Sequence, residues 1–522
     1  MILRSFTAQE RRILQILIFI TIVSRLALAF RPEWKICSRP FIDDAFYIFN
    51  VSQHIAAGAG LTVDGIHQTN GIQPLITFIY APFFAIARGD SLLGLRLCFI
   101  LVALWDALSV LFIAKLIRRL FRQNPNDETP LWCRPPIIAA FLWTVLYSIQ
   151  VHTTNGLETG LYSFLLICCC YNYATIRSQK TKPSYYQWIG FGVLLGITVL
   201  ARIDSVIFVI VFAFVELFRL KEKAIIHVAV FGTIALIISS PWWIFNFTVF
   251  GSVMPQSGQS EMERFVLDFN IFCGASTIAN MFTVVFFLPK FSLPYWFHGV
   301  WFVFMSLFVY VVARRFHVWK YLQQNVNLAS LSPLFFFGLV LVLYYIFFFA
   351  APYFLERYFQ PLRIFWIILV ASSIPLLHKV YQLLSPRRAL LTRIGLSIFS
   401  IVAAGFTIWG YGHNFIMNEP IDLYKAAIWA REHPHAKIGM TQSGIASFLS
   451  PNVINLDGKV NIEALAAIQH SDIGGYIVSH NLDYINDWIG LSGPLVLSAS
   501  RHGAVFEPID TLDAVIIYKR KR

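Results

Sequence analysis

The chain has 522 residues, of which 57% are hydrophobic and 13% are charged, and its net charge is +13 at pH 7. Soluble domains contain roughly 45–50% apolar residues, and this chain repeatedly shows nearly uncharged runs of membrane-spanning length. The composition excludes a soluble globular protein and indicates a polytopic helical membrane protein. Basic residues are dispersed in short loops rather than gathered in a stripe, so nucleic acid is not an expected partner, whereas membrane lipids are.

Hydropathy predicts eleven membrane spans joined mostly by short loops. They lie near residues 11–30, 92–114, 136–152, 156–175, 186–201, 204–218, 224–243, 296–313, 333–350, 360–378 and 391–411. Residues 74–87 form another apolar stretch, which we predict to lie on the outer leaflet or dip into it. Counting that stretch as a span would invert the loops that follow and place the basic loop 115–122 outside.

The distribution of lysine and arginine predicts the orientation. These residues are more than twice as numerous in the loops on the side that holds the N-terminus, and the positive-inside rule assigns that side to the cytoplasm. The prediction is a transmembrane module over residues 1–411, with extracytoplasmic loops at 31–91 and 244–295. Residues 412–522 follow it as an extracytoplasmic domain.

The first span has a second interpretation as a cleavable signal peptide. Arg4, Arg11 and Arg12 precede the apolar run, and Ala27-Leu28-Ala29 resembles a cleavage site. Arg25, however, interrupts the end of the run, and the run is long enough to cross a bilayer. We favour an uncleaved membrane anchor.

An acid pair, Asp43-Asp44, opens the apolar pattern of residues 45–51 in the first exterior loop, and this pattern predicts an amphipathic helix. Adjacent helical residues point about 100° apart, so at most one carboxylate faces into a cavity. Asp43 as the helix N-cap is one interpretation. In the other, Asp43 or Asp44 is the catalytic base that accepts a proton from an acceptor hydroxyl, or ligates a divalent cation.

Further polar residues cluster where the predicted exterior segments meet the membrane. Turns and caps account for some of them, such as the Asn-Gly pairs at 70–71 and 155–156. For Arg202 and Asp204 a mutual ion pair is one interpretation, and Arg202 as a ligand of a lipid phosphate is the other. The candidate substrate-binding residues are His67, Asn70, Gln73, Asn155, Glu158, Arg202, Asp204, Gln256 and Arg357.

One acid, Asp106, lies near the centre of the predicted 92–114 helix, away from these clusters. An acid within a membrane span has a functional role or an interhelical hydrogen bond. Both interpretations remain open at the sequence level.

Residues 412–522 change character and predict a small α/β domain. A helical pattern covers 421–432, and strand-like runs lie at 437–440, 453–456, 495–497 and 514–518. This domain either helps to bind the acceptor or covers the cavity.

The order and common sidedness of these features resemble the GT-C superfamily of integral membrane glycosyltransferases. The similarity is to the protein O-mannosyltransferase and aminoarabinose transferase types, and to bacterial GT-C-like membrane proteins of unassigned substrate. The motifs that carry it are Asp43-Asp44-Ala45-Phe46-Tyr47, Thr69-Asn70-Gly71-Ile72-Gln73-Pro74, Asn155-Gly156-Leu157-Glu158-Thr159, Leu200-Ala201-Arg202-Ile203-Asp204 and Asn455-Leu456-Asp457-Gly458-Lys459-Val460-Asn461.

The resemblance implies a polytopic all-α membrane protein with a small C-terminal α/β domain, in a bacterial inner (plasma) membrane. It also implies transfer of a sugar from a polyprenyl-phosphate donor to a lipid or glycan acceptor of the envelope, with inversion at the anomeric carbon. Asp43 or Asp44 takes the place of the family's acid, which serves as base or metal ligand. Protein-modifying mannosyltransferases typically have Asp-Glu where this chain has Asp-Asp, which leaves acceptor and metal dependence open.

Two other functions fit parts of the pattern. A lipid or solute transporter or flippase usually shows internal repeats and polar sites at the midplane, but the sequence has no evident repeat and only Asp106 is central. A polysaccharide polymerase or ligase would also use exterior acids and arginines.

Overall fold

The computed structural model describes residues 5–65, 67–121, 129–179, 182–220, 224–263, 265–285, 295–349, 355–416 and 419–521. Arg4 and the end of the predicted span 333–350 lie outside these ranges. The described chain is mostly helical and ends in a small sheet.

The N-terminal half forms a helical module. Its helices are α1 (Ala8–Leu26), α2 (Glu33–Ser38), α3 (Asp43–Ala56), α4 (Pro74–Ala87), α5 (Ser91–Leu120), α6 (Pro135–Val145), α7 (Tyr147–Thr153), α8 (Thr159–Arg177), α9 (Tyr185–Ala201), α10 (Val206–Leu220) and α11 (Ile225–Phe250). The first seven predicted spans correspond to helices in this set. Helix α4, the stretch predicted to lie at the outer leaflet, packs against α3, α5 and α9.

Seven helices of the described residues are long and apolar enough to cross a membrane, or up to nine if each of two bent pairs is one span. The predicted spans at α9 and α10 are helices of 17 and 15 residues, shorter than the roughly 20 residues of a typical crossing. The chain is an integral membrane protein, and the predicted number of eleven spans stays a prediction.

A second set of helices follows α11. They are α12 (Gln256–Met262), α13 (Leu267–Val285), α14 (Tyr295–Arg315), α15 (Val318–Asn325), α16 (Leu328–Phe347), α17 (Leu355–Tyr358), α18 (Gln360–Gln382) and α19 (Pro386–Phe415). The predicted middle loop 244–295 is therefore largely helical where it is described. Helix α13 contains polar residues that lower its hydropathy, so it was not predicted as a span. One of them, Asn270, donates to the carbonyl of Phe349 at 2.7 Å.

A polar cluster joins the helices around Asp106. Its carboxylate accepts from Arg25 Nε at 2.9 Å, from Thr153 Oγ1 at 2.8 Å and from Trp143 Nε1 at 3.3 Å. Arg25 and Asp106 are fully buried, and the pair links α1 to α5. Trp143 and Thr153 lie on the two halves of the α6–α7 pair, which bends by 62°. The interhelical interpretation of Asp106 therefore matches its contacts, and the same cluster holds the bend that leads to Glu158.

The C-terminal domain is a five-stranded sheet with helices on it. Its elements are α20 (Asp422–Glu432), β1 (Ile438–Met440), α21 (Gly444–Leu449), β2 (Val453–Asn455), α22 (Ile462–Gln469), α23 (Ile473–Ser479), β3 (Tyr484–Trp488), α24 (Ile489–Arg501), β4 (Phe506–Leu512) and β5 (Val515–Arg520). The strand order is β2-β1-β3-β5-β4, parallel among β2, β1 and β3 and antiparallel where β5 joins β3 and β4.

The predicted strand at 495–497 is wrong, because these residues belong to α24. Leu495 and Ala499 are buried four residues apart, which is a helical spacing, and a short apolar run cannot distinguish the two structures. Strand β3 was missed because its centre is polar. Its buried Asp487 accepts from the backbone N–H of Thr441 at 2.6 Å, so the backbone just after β1 satisfies the carboxylate.

We predict that Asp106→Leu destabilises the protein by about 3–5 kcal/mol, because it leaves the Arg25 guanidinium buried without its carboxylate. The double variant Arg25→Met/Asp106→Leu should recover a large part of this loss, since no uncompensated charge remains. Unfolding of the detergent-solubilised protein measures both. A double variant no more stable than the single one would contradict this account.

Candidate active site

Helix α3 presents one face to the C-terminal domain. Asp43 begins the helix, and its carboxylate accepts from the backbone N–H groups of Ile445 at 2.8 Å and Gly444 at 3.0 Å, at the start of α21. The two elements are so close that a Cβ on Gly444 would lie 2.0 Å from the Asp43 carbonyl oxygen. The N-cap of α3 is Ile42, so Asp43 caps a helix of the other domain and not its own.

The same face continues along α3. The Tyr47 hydroxyl lies 3.1 Å from Ser443 Oγ, and Asn50 donates to the Ser447 carbonyl at 3.2 Å. Residues 43, 47 and 50 are spaced by four and three, which places them on one side of a helix. This side docks the C-terminal domain onto the helical module.

The next residue, Asp44, faces a different way and lines a cavity. The cavity volume is about 450 Å³, within the range of small-molecule sites. Its wall combines charged and polar groups with apolar side chains from distant parts of the chain. They include Asp44, Tyr47, Gln73, Glu158, Arg202, Ile203, Asp204, Ile207, Trp243, Glu261, Tyr345, Phe349, Arg357, Tyr358 and Lys459.

Two cations contact the Asp44 carboxylate. Lys459 Nζ lies 3.5 Å from one oxygen and Arg357 Nη1 lies 3.6 Å from the other. Burial raises the pKa of Asp44, but Lys459 and then Arg357 outweigh burial and hold the pKa below its ordinary value. Asp44 is therefore ionised at neutral pH.

The cavity wall holds a second charged group, centred on Arg202. Its Nη1 lies 2.7 Å from Glu158, and its Nη2 and Nε contact the two oxygens of Asp204 at 2.7 and 3.2 Å. The guanidinium also donates to the Tyr345 hydroxyl at 3.1 Å and lies over the ring of Tyr358. Arg202 is thus held by two carboxylates, as in the ion-pair interpretation, and its phosphate-binding interpretation gains no support from these contacts.

Of the other candidate residues, Gln73, Glu158, Asp204 and Arg357 line the cavity together with Asp44 and Arg202. Five candidates do not line it, and they make their contacts elsewhere. Asp43 docks the C-terminal domain, His67 pairs with Asp64 at 2.6 Å, Asn70 accepts from the Gln256 N–H at 2.9 Å, and Asn155 accepts from the Leu157 N–H at 3.0 Å. Gln256 in turn accepts from Thr69 at 2.8 Å.

Sequence reasoning missed two charged residues of the cavity, Lys459 and Glu261. The turn Asp457-Gly458-Lys459 is part of a motif in the sequence, but it lies in the C-terminal domain, and the motif alone assigns it no role in the cavity. Glu261 lies on α12, inside the segment predicted to be a loop. No local pattern could place either residue beside Asp44.

A divalent cation was one prediction for Asp43 or Asp44. Asp43 binds backbone N–H groups, and the near neighbours of Asp44 are a lysine and an arginine. Within the described ranges, no group of three or more His, Cys, Asp and Glu side chains could hold a metal ion. These surroundings do not fit a divalent cation, and we assign no step to one.

We predict that the docking of the C-terminal domain is tighter at pH 5 than at pH 8. Desolvation, with a smaller contribution from Asp44, raises the pKa of Asp43 to about 7 from 3.8. Between these values the docked protein keeps a proton that the unfolded chain releases, so stability falls as the pH rises. Hydrogen exchange of the α21 amides, corrected for intrinsic rates, should show this dependence, and Asp43→Asn should reduce it.

The matched control is Asp510→Asn, on the exposed surface of β4. It should keep the pH dependence of the unaltered protein. An equal pH dependence in Asp43→Asn would show that Asp43 is not the titrating group.

Comparisons with known proteins agree with this architecture. Residues 72–245 match the model of a family described as dolichyl-phosphate-mannose-protein mannosyltransferase. The apo crystal structure of ArnT from Cupriavidus metallidurans superposes with a TM-score of 0.55 at 11% identity, covering 96% of this chain and 97% of that one. The apo oligosaccharyltransferase of Archaeoglobus fulgidus has a TM-score of 0.53 at 12% identity, covering 98% and 74%.

A comparison with curated protein sequences found no match. The structural matches show the fold, and the family match falls within the helical module that carries Glu158, Arg202 and Asp204. The chain is a multi-pass membrane protein with a GT-C-like fold, similar to the folds of ArnT and of the archaeal oligosaccharyltransferase.

Proposed function

We propose that the protein transfers a sugar from a polyprenyl-phosphate-linked donor to a lipid or glycan acceptor at the extracytoplasmic face of the membrane. The observation that carries this proposal is the position of Asp44, an ionised carboxylate beside two cations in a cavity with apolar walls. The donor named in the description of the matching family, a dolichyl-phosphate sugar, has the same chemistry.

The cavity suits both parts of such a donor. Apolar side chains such as Ile203, Ile207 and Trp243 provide contacts for the lipid chain, while the charged end of the cavity suits the phosphate and the sugar. A lipid phosphate is an anion held at the membrane surface, so its binding requires cationic donors at that depth.

In the proposed reaction an acceptor hydroxyl attacks the anomeric carbon from the face opposite the phosphate. The new C–O bond forms as the bond between the anomeric carbon and the phosphate oxygen breaks, and the electron pair stays on that oxygen. Asp44 accepts the hydroxyl proton. A donor phosphate bound near Asp44 adds negative charge, so the pKa of Asp44 rises and the carboxylate becomes a stronger base.

Asp43 and Asp44 make different contacts, and we therefore propose different roles for them. Asp44 is the proposed base, and Asp43 anchors the domain that stands beside it. Arg202 is the proposed support of the cavity wall, where it holds Glu158 and Asp204.

We predict that Asp44→Asn lowers transfer of radiolabelled sugar from a polyprenyl-phosphate donor by about 100-fold or more, because the amide cannot accept the proton. Asp43→Asn should retain most of the transfer, and Asp510→Asn should match the unaltered protein. All variants are compared at equal expression and equal melting temperature.

Two results would contradict the proposal. Full transfer by Asp44→Asn would remove the base assignment. Absence of transfer by the unaltered protein with every common polyprenyl-phosphate sugar would favour a transporter or flippase.

A further inference from the structure

One cation of the cavity comes from the C-terminal domain. Lys459 follows β2, and its side chain, only 8% exposed, enters the cavity of the helical module. Its Nζ lies 3.1 Å from Glu261, 3.5 Å from Asp44 and 3.7 Å from Asp457. A domain that merely covered the cavity would not need a buried cation beside the proposed base.

The turn that carries this lysine is held by its own backbone geometry and by two segments of the helical module. Gly458 adopts a φ of +77°, which favours glycine, and Asp457 accepts from the Lys459 N–H at 2.9 Å. Ser260 donates to the Asp457 carbonyl at 2.5 Å. Gly71 of the first loop lies so close that a Cβ there would be 1.7 Å from the Lys459 carbonyl oxygen. The lysine is therefore held in position by both domains.

The cavity cations differ in how tightly they are engaged. Arg202 makes contacts of 2.7 Å with two carboxylates, the length of a strong charge-assisted hydrogen bond. Lys459 and Arg357 contact Asp44 at 3.5 and 3.6 Å, which is longer than such a bond. An oxyanion that reaches these two cations gains charge-assisted hydrogen bonds and competes with their long contacts to Asp44, while Lys459 keeps its 3.1 Å contact with Glu261.

We propose that Lys459, together with Arg357, binds the phosphate of the lipid-linked donor, so that the C-terminal domain is part of the active site. This inference rests on the proposed function and names the residues of its phosphate site. When the bond to the sugar breaks, negative charge grows on the phosphate oxygen, and the fixed ammonium group stabilises it.

The test measures binding of farnesyl phosphate, a short polyprenyl phosphate, to the full-length protein in detergent, with farnesol as the uncharged probe. We expect Lys459→Met to weaken farnesyl phosphate binding by about tenfold to a hundredfold, the value of a hydrogen bond to a charged group. Lys459→Arg should stay within about threefold, because the charge is kept. Binding of farnesol should not change in either variant.

The matched control is Lys425→Met, which removes a lysine of the same domain that pairs with Asp513 on its surface. It should bind farnesyl phosphate like the unaltered protein. A separate arm with inorganic phosphate distinguishes the sources of the anion. Inorganic phosphate should compete weakly, and competition as strong as that of farnesyl phosphate would overturn the assignment to a lipid.

Unchanged farnesyl phosphate binding by a folded Lys459→Met variant would overturn the inference. If that variant does not fold, hydrogen exchange of residues 457–461 in the unaltered protein decides. Farnesyl phosphate must slow this exchange and farnesol must not, and equal exchange with both probes would again overturn it.

The binding assay needs no sugar, so it separates the two proposals. Phosphate binding that depends on Lys459 in a protein without transferase activity would refute the proposed function alone. An active enzyme whose KM for the donor is unchanged in Lys459→Met would refute the phosphate assignment alone.

Discussion

The docking of α3 onto the C-terminal domain is the contact on which the cavity depends. Asp43, Tyr47 and Asn50 bind that domain from one side of the helix. Asp44, about 100° further around the helix, then faces the cavity, and the docked domain places Lys459 beside it. A single amphipathic helix thereby assembles a site from residues more than 400 positions apart in the chain.

The charges of the cavity fall into two groups with different physical character. Around Arg202, short contacts with Glu158 and Asp204 form a closed ion-pair network that stiffens the wall. Around Asp44, the contacts with Lys459 and Arg357 are longer. Because a long ion pair loses less when a ligand displaces it, the contacts of Asp44 yield to an anionic ligand more readily than the contacts of Arg202.

The polar cluster around Asp106 is paired within the helical module and lies away from the cavity. Asp106 is buried among helices, and it has three hydrogen-bond partners, including the guanidinium of Arg25. A charge in such surroundings is stable only when it is paired. The cluster therefore explains how an apolar bundle accommodates a bend between α6 and α7, and it has no need of a transport role.

The sequence by itself determined the membrane class, the positions of most helices, the C-terminal α/β domain and the GT-C resemblance. These properties follow from hydropathy and from local periodicity, which neighbouring residues express directly. Because adjacent helical residues point about 100° apart, the sequence also predicted that at most one of Asp43 and Asp44 faces a cavity. Which of them does so depends on the partner that covers the other face.

Only the tertiary structure decided which acid of the pair faces the cavity. It also decided that Arg202 pairs with two carboxylates and that Lys459 lies beside Asp44. Long-range contacts place these groups, and no spacing along the chain encodes such contacts. Strand β3 and helix α13 escaped detection for a related reason. Their polar residues, Asp487 and Asn270, are satisfied by backbone groups of other elements, and sequence patterns do not reveal partners that folding supplies.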